Sequence, residues 1–290
     1  MGFRTLEISH AAEIHIKEGQ LEITTDDGVA VVPIEDLNQI MVHGANIRLS
    51  TMDLSILSQN KVALMTLDDR YLPTAIVLPF EGHARQSKLM HTQVNTAHEK
   101  KISNQSRALS IMGLDGAEKI AAYVATVDEE NVDYCESLAA KEYFSYYHEG
   151  FNRRSEDPIN SRLNYGYAVV RSAIARKLVA TGFHPIFGIH HDNQLNAFNL
   201  TDDLIEPYRA IVDLVAHNNI ASNIQLTKSE RRELAHVLHN ACIVDGVKVN
   251  VMSAIDIMVE SLKRIILDAS TEKLKLPMIL PVESMEGITE

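Results

Sequence analysis

The sequence contains no tryptophan and only two cysteines, and aromatic residues make up 6% of its 290 positions. Cys135 and Cys242 fit neither a disulfide framework nor a zinc-finger spacing, so we expect a reducing, cytoplasmic compartment. The first six residues are too polar for a signal peptide. No apolar run approaches the roughly 18 residues of a transmembrane helix, so no membrane partner is expected. The 46% hydrophobic content nevertheless predicts one or two domains with a substantial core.

Basic residues are also in the minority, with 27 Lys and Arg against 39 Asp and Glu, a net charge of −12. This balance disfavours a nucleic-acid partner, because phosphates require a positive surface. The excess of acidic residues is unevenly distributed along the chain. Residues 1–76 hold five basic and eleven acidic side chains, whereas residues 77–281 hold 22 basic and 25 acidic ones. Pairs of basic residues in this second segment could form a phosphate track, although each pair alone is most simply a solvated helix face. The pairs are Lys100-Lys101, Arg153-Arg154, Arg176-Lys177, Arg231-Arg232 and Lys263-Arg264.

The hydrophobic pattern predicts an α+β protein, with a small N-terminal β-rich domain followed by a larger all-α domain. Residues 1–76 alternate with period two, and Asp26-Asp27-Gly28 is a hairpin-type turn between two such runs. Prolines and a glycine predict a hinge over residues 77–84. Residues 85–281 form the helical domain, the chain is loose from Pro277, and residues 282–290 are an acidic tail. Helical periodicity is found near 83–110, 115–127, 129–148, 157–181, 202–219, 228–242 and 253–269.

The predicted helix over 129–148 carries an acid on an inward-facing side. Glu136 shares a face with Ala139, Ala140, Tyr143 and Tyr147. A glutamate on this small and aromatic face needs a partner, because an unpaired buried carboxylate is costly. The alternative is that Glu136 is an ordinary surface acid near the first turn. Glu142 lies off this face and is expected to be solvated.

A loop with two glycines and a proline surrounds the adjacent residues His190 and His191. Such constrained loops often hold functional groups. In an extended chain the two rings point in opposite directions, so at most one of them serves a given site. A surface pair of histidines is the alternative interpretation.

Three acids, Asp202, Asp203 and Glu206, follow this loop closely. Acids at a helix start usually act as caps and dipole partners. Three acids exceed what one cap needs, however, and the helix start could meet the histidine loop in space. Two carboxylates with one imidazole would suit Mg²⁺ or Mn²⁺ and would not suit structural zinc. The sequence has no Walker-type phosphate loop and no dinucleotide fingerprint.

In their order along the chain, these motifs resemble the CRISPR-associated spacer-acquisition integrase, the larger subunit of the adaptation complex. The resemblance covers nearly the whole chain, and 193–200 and 206–209 are most similar to members from type II systems. Ser137 departs from many members, which have glycine after the first catalytic glutamate. The motifs are Glu136-x-x-Ala139-Ala140-x-x-Tyr143-Phe144, Asp157-Pro158-Ile159-Asn160-x-x-Leu163-Asn164-Tyr165-Gly166-Tyr167, Gly188-Ile189-His190-His191 and Asp203-Leu204-Ile205-Glu206-Pro207-Tyr208-Arg209.

The resemblance implies that Glu136, His191 and Glu206 form one catalytic metal site for Mg²⁺ or Mn²⁺. It selects His191 over His190, and leaves the role of Asp203 undefined. The implied reaction is a transesterification, in which the 3′-hydroxyl of a captured DNA fragment attacks a phosphodiester at the edge of a CRISPR repeat. Because no covalent enzyme–DNA intermediate is expected, Tyr143 and Tyr165 are predicted to be structural.

The resemblance also implies the partners, which are double-stranded DNA, a second copy of the chain in a homodimer, and a small partner subunit. Two alternatives keep the same motifs but change the activity. The chain could be a catalytically inactive DNA-capture or scaffold subunit of the same complex. It could also be a metal-dependent nuclease that acts on branched DNA without integrating it.

Overall fold

The structure is a computed structural model that describes residues 4–44, 46–68, 73–77, 96–126, 132–191, 193–218, 223–268 and 273–282. It is α+β, with a β-rich start followed by a mainly helical part, which confirms the predicted fold class. The predicted hinge and acidic tail, apart from residues 77 and 282, lie outside these ranges and stay predictions.

The N-terminal part consists of two four-stranded sheets with the orders β1-β5-β7-β8 and β4-β3-β2-β6. The predicted turn at Asp26-Asp27-Gly28 connects the antiparallel strands β3 and β4. In the first sheet, β1, β5 and β7 are parallel. The elements are β1 Arg4–Ile8, β2 Ala12–Lys17, β3 Gln20–Thr25, β4 Gly28–Pro33, β5 Leu37–His43, β6 Ile47–Arg48, helix α1 Thr51–Gln59, β7 Ala63–Leu67 and β8 Pro73–Val77.

The sheet that contains β5 and β7 is buried on both faces. Ile40 and Leu64 belong to the core shared with the second sheet. Their neighbours Met41 and Met65 belong to the core of the helical part. A strand covered on both sides reads as a continuous apolar run, which explains why residues 40–42 show little alternation. The first sheet therefore forms the base on which the helices pack.

The C-terminal part is built from seven helices within the described ranges and also contains a small sheet of order β10-β9-β11. The helix predicted over 228–242 is too long, because the α-helix ends at Ala235 and residues 241–244 form a strand. Asp245 and Gly246, which have positive φ, form the turn of a hairpin between this strand and the next one. The prediction that the chain is loose from Pro277 is wrong for Met278 and Ile279, which form strand β11 and pair with β9. The elements are α2 Thr96–Met112, α3 Ala117–Val124, α4 Val132–Tyr147, α5 Pro158–Thr181, α6 Asn199–Asn218, α7 Lys228–Ala235, a 3₁₀ turn His236–His239, β9 Ala241–Val244, β10 Val247–Asn250, α8 Val251–Asp268 and β11 Met278–Ile279.

Helix α5 is the central element of the helical part and is buried along most of its length. It begins where the Asp157 side chain accepts a hydrogen bond from the Asn160 amide at 2.8 Å, and it ends at Gly182, whose φ is 97°. A Cβ on Gly166 would lie 2.5 Å from Cγ1 of Val212 in α6. This glycine lets α5 and α6 approach closely, and the approach positions the acids of α6.

Several members of the basic pairs are buried, so neither a solvated helix face nor a phosphate track describes them. Lys101, Arg176, Lys177 and Arg231 are all buried. Lys177 pairs with Asp256 and Glu260 of α8 at 3.5 and 3.1 Å. The phosphate-track prediction is therefore wrong for these four side chains, which act inside the fold.

Candidate active site

Two of the three predicted site residues meet at one buried cation. Glu136 on α4 and Glu206 on α6 both contact Nζ of Lys101 on α2, and the contact with Oε2 of Glu206 measures 2.5 Å. The Glu206 side chain is 3% exposed, whereas that of Glu136 is 20% exposed. Three helices thus converge on this point, with Glu136 on its solvent-facing side.

Glu206 is held by cations on two sides. Nε of Arg209, one turn later on α6, donates to Oε1 of Glu206 at 2.8 Å. Oε2 of Glu206 lies 2.5 Å from Nζ of Lys101, so a cation contacts each oxygen of this carboxylate. Burial raises the pKa of Glu206, but the charges of Arg209 and Lys101 outweigh it and hold the pKa below its ordinary value. Glu206 is therefore a buried carboxylate that stays ionised.

Asp203 holds the histidine loop in place, so its role is to bind this loop rather than to cap helix α6. Its carboxylate accepts hydrogen bonds from the amides of Ile189, His190 and His191, the last two at 3.0 and 2.9 Å. It also lies 2.6 Å from Nδ1 of His191. Burial raises the pKa of Asp203, but these hydrogen bonds hold it below its ordinary value. Asp203 thus clamps the loop that presents His191.

The contact with Asp203 also sets the state of the His191 ring. An ionised carboxylate accepts hydrogen bonds but cannot donate them, so the proton of this contact is on Nδ1 of His191. Nε2 then carries the lone pair that a metal ion could bind. The hydrogen bond to Asp203 raises the pKa of His191, against the opposing effect of burial. Glu206 and Asp202 add to this rise through their charges. The imidazole therefore belongs to the same electrostatic cluster as the α6 acids.

Gly188 lets the histidine loop fold back on itself, and we expect its substitution by alanine to displace His191. A Cβ at this position would lie 2.0 Å from the carbonyl oxygen of His191 and 2.9 Å from Cβ of Asn199, a clash that only a backbone shift relieves. The His191–Asp203 contact should break, so the pKa of His191 should fall toward about 6.5. Histidine NMR titration measures this change, and Asp203→Asn should give the same shift. A Gly188→Ala protein whose His191 keeps its raised pKa would contradict the clash.

The chemical types of the predicted ligands suit a divalent ion, although a lysine lies between the two glutamates. No three His, Cys, Asp or Glu side chains in the described part of the chain are grouped as metal ligands. Two carboxylates and an oriented imidazole are nevertheless donors that Mn²⁺ or Mg²⁺ prefers. Glu136, His191 and Glu206 are the residues that the family resemblance predicts to hold such an ion. Among the described residues the structure brings the two glutamates together at Lys101 but does not group His191 with them as a third ligand.

Glu142 is not solvated as the sequence predicts. Its Oε1 accepts from the Tyr123 hydroxyl at 3.0 Å and pairs with Lys119 at 3.0 Å. Glu142 therefore joins α4 to α3. It lies apart from the cluster around Lys101 and offers a control position for substitutions in the site.

Sequence reasoning did not identify a buried acid, Asp213, that connects α4, α5 and α6. Its carboxylate accepts hydrogen bonds from the hydroxyls of Tyr143, at 2.8 Å, and Tyr167. Burial raises the pKa of Asp213 to about 6, although these hydrogen bonds oppose the rise. Arg209, the partner of Glu206, lies over the Tyr167 ring at 4.9 Å. The sequence did carry one signal for Asp213. It lies seven residues after Glu206, which is two helical turns, so the two acids share one face of the helix.

No helix within the described ranges is both long and apolar enough to cross a membrane.

Residues 8–243 match the family model described as CRISPR associated protein Cas1. The chain is 30% identical over 302 residues to the CRISPR-associated endonuclease Cas1 of Neisseria meningitidis serogroup C (strain 8013), covering 99% of both proteins.

Solved structures share the fold at lower identity. The chain is similar to a casposase bound to integration product, with a TM-score of 0.77, 18% identity, and coverage of 100% of this chain and 96% of that chain. It is also similar to a chain of a Cas6-RT-Cas1–Cas2 complex, with a TM-score of 0.72 and 17% identity. That match covers 96% of this chain and 36% of the larger one. At these identities the two likenesses establish the fold alone.

Proposed function

The chain belongs to the Cas1 family of CRISPR-associated proteins, and from this membership we propose that it inserts captured DNA fragments into a CRISPR array by metal-dependent transesterification. The observation that carries the proposal is the meeting of Glu136 and Glu206 at one buried cation, beside a histidine oriented by Asp203. These side chains come from the motifs that the family resemblance singles out. The endonuclease name of the relative from Neisseria meningitidis supports phosphodiester chemistry.

In the proposed reaction one phosphodiester replaces another. The 3′-oxygen of the captured fragment loses its proton and forms a bond to phosphorus at the edge of the repeat. The repeat strand's oxygen leaves with the bonding electrons and takes up a proton. When bound, Mn²⁺ or Mg²⁺ supplies Lewis-acid polarisation of the phosphoryl oxygen. No group of the protein is covalently attached to the DNA.

The side chains of this protein have separate roles in that reaction. Glu136, His191 and Glu206 would hold the ion. Asp203 keeps the proton of His191 on Nδ1, and Arg209 fixes the carboxylate of Glu206. Because these supports are buried or partly buried, the His191 ring and the Glu206 carboxylate are oriented before DNA arrives, which reduces the reorganisation that these two groups need for catalysis.

The proposed partners are double-stranded DNA, a second copy of this chain and a small partner subunit. The Cas6-RT-Cas1–Cas2 complex supports a partner of the Cas2 kind. The casposase neighbour, which its description says is bound to integration product, supports a DNA substrate. Because the chain carries a net charge of −12, we propose that the assembled complex rather than a single chain provides the positive groove.

A strand-joining assay tests the proposal. The protein and its partner subunit are mixed with a labelled DNA fragment, a repeat-containing plasmid and Mn²⁺ or Mg²⁺, and we expect label to become covalently attached to the plasmid. A fragment with a dideoxy 3′ end should not be joined, because it lacks the attacking oxygen. Nicking without joining would favour the branched-DNA nuclease, and the absence of any metal-dependent product would favour the inactive scaffold.

A further inference from the structure

The Lys101 side chain lies between the two glutamates of the proposed metal site. It comes from α2, is 7% exposed, and its ammonium contacts carboxylates from two other helices. No ion pair joins the preceding residue, Lys100, to either glutamate within the described ranges. The position of Lys101 is therefore specific, and it is the point between Glu136 and Glu206 at which an ion held by both would lie.

Charge balance explains why a cation is needed at this point. Two carboxylates held close together repel each other, and one of them would be driven to protonate unless a positive charge lies between them. Among the contacts of the described residues, Arg209 pairs with Glu206 through Oε1 and not with Glu136, so it does not bridge the two carboxylates. Lys101 contacts both carboxylates and is the charge that bridges them.

The ammonium and a divalent ion cannot both occupy this place. Each would require the same carboxylate oxygens, and two cations a few ångströms apart in a partly buried site repel strongly. Nζ of Lys101 lies 2.5 Å from Oε2 of Glu206 and also contacts Oε1 of Glu136, so the two carboxylates share one ammonium. Lysine also has a flexible four-carbon stem and can move its charge more readily than arginine. Glu136 lies on the solvent-facing side, which gives the ammonium a direction in which to leave.

We propose that Lys101 is an internal counter-cation that holds Glu136 and Glu206 together in the metal-free protein and is displaced from between them when a divalent ion binds. This inference rests on the proposed metal site, and it adds that Lys101 competes with the metal ion for the two carboxylates. Lys101 holds the two carboxylates close together before metal arrives, and it weakens metal affinity because it competes for the same oxygens. It is therefore a positioning residue rather than a ligand.

Substituting Lys101 with methionine tests the inference, because methionine removes the charge and keeps a long unbranched side chain. In EDTA, Lys101→Met should lower the melting temperature, since the two carboxylates lose their bridging cation. In saturating Mn²⁺ most of that loss should disappear. Mn²⁺ should also bind about tenfold more tightly, because the ion no longer displaces an ammonium. Differential scanning calorimetry and Mn²⁺ titration followed by electron paramagnetic resonance measure these quantities without requiring activity.

Lys100→Met is the matched control, because it removes the same charge from the adjacent position of the same helix and should change Mn²⁺ affinity little. Lys101→Arg keeps the bridging charge, so it should retain metal-free stability and should not bind Mn²⁺ more tightly. A Lys101→Met protein with equal losses of stability in EDTA and Mn²⁺, or with unchanged or weaker Mn²⁺ binding, would overturn the inference. Failure to fold even with Mn²⁺ would also overturn it, since the ion is expected to replace the lysine.

Failure of the lysine inference is distinguishable from failure of the proposed function. If the unmodified protein binds Mn²⁺ and Glu206→Gln abolishes the binding, the metal site stands, and only the result for Lys101→Met decides the role of the lysine. If the unmodified protein binds no Mn²⁺ at this site, the metal-dependent function fails first and the inference fails with it.

Discussion

Replacing Glu206 with glutamine should reduce strand joining by about a thousandfold, because loss of a metal ligand removes several kcal/mol of transition-state stabilisation and each 1.36 kcal/mol is a factor of ten in rate. Glutamine preserves the shape of the side chain but removes the charge that both Lys101 and Arg209 contact. DNA affinity should change little, because phosphate binding depends on surface cations rather than on this buried acid. His191→Ala should have an effect in the same direction.

The measurement compares the joining rate with the DNA dissociation constant at fixed Mn²⁺ concentration. Glu142→Gln is the matched control, since Glu142 is a partly buried, paired acid outside the site and its loss should leave joining nearly unchanged. His190→Ala is the control for His191. Joining that persisted in Glu206→Gln or His191→Ala at normal metal concentrations would show that the site is assigned to the wrong residues.

Replacing Arg162 with methionine should destabilise the protein by about 3–5 kcal/mol, the usual cost of breaking a buried ion-pair network by removing one partner. The Arg162 side chain is fully buried, and it pairs with Glu230 and Glu233 at 3.1 Å each. Its Nε also donates to the carbonyl of Ala216 at 3.1 Å, near the end of α6. The substitution would leave two carboxylates and a helix terminus without their shared donor.

Urea unfolding followed by circular dichroism measures the effect as a lower midpoint. Arg264→Met is the control, because Arg264 is an exposed residue of α8 and surface substitutions usually change stability by no more than about 0.5 kcal/mol. Equal midpoints for the Arg162→Met and unmodified proteins would mean that the network around Arg162 contributes nothing to stability.

The order of the motifs allowed the sequence to nominate the three site residues and the family, and the family is confirmed. Local patterns also predicted the main elements, since alternation marked the strands and a three- to four-residue repeat marked helix α5. These signals succeed because burial of one face imposes a period on the residues of a single element. They failed at residues 241 and 242, which were predicted to be helical and instead belong to strand β9.

Contacts between distant residues could not be predicted in the same way. Lys101 is 35 residues from Glu136 and 105 from Glu206, and the pair Lys100-Lys101 has the composition of a solvated helix face. Asp203 had an undefined role, because its partners are the amides of a loop more than ten residues away. Arg162 carried no signal of its importance, since its carboxylate partners lie on α7, beyond the end of α6.

The sequence by itself determined the fold class and the family, and it nominated two acids and a histidine as metal ligands, because residue type, periodicity and the order of motifs can be read along the chain. The tertiary structure alone decided how these side chains are held. It brought Glu136 and Glu206 to Lys101, oriented His191 through Asp203, and buried cations that look exposed in the sequence. The physical reason is that charge pairing in a folded chain depends on distances through space, and those distances are set by the packing of whole helices against one another.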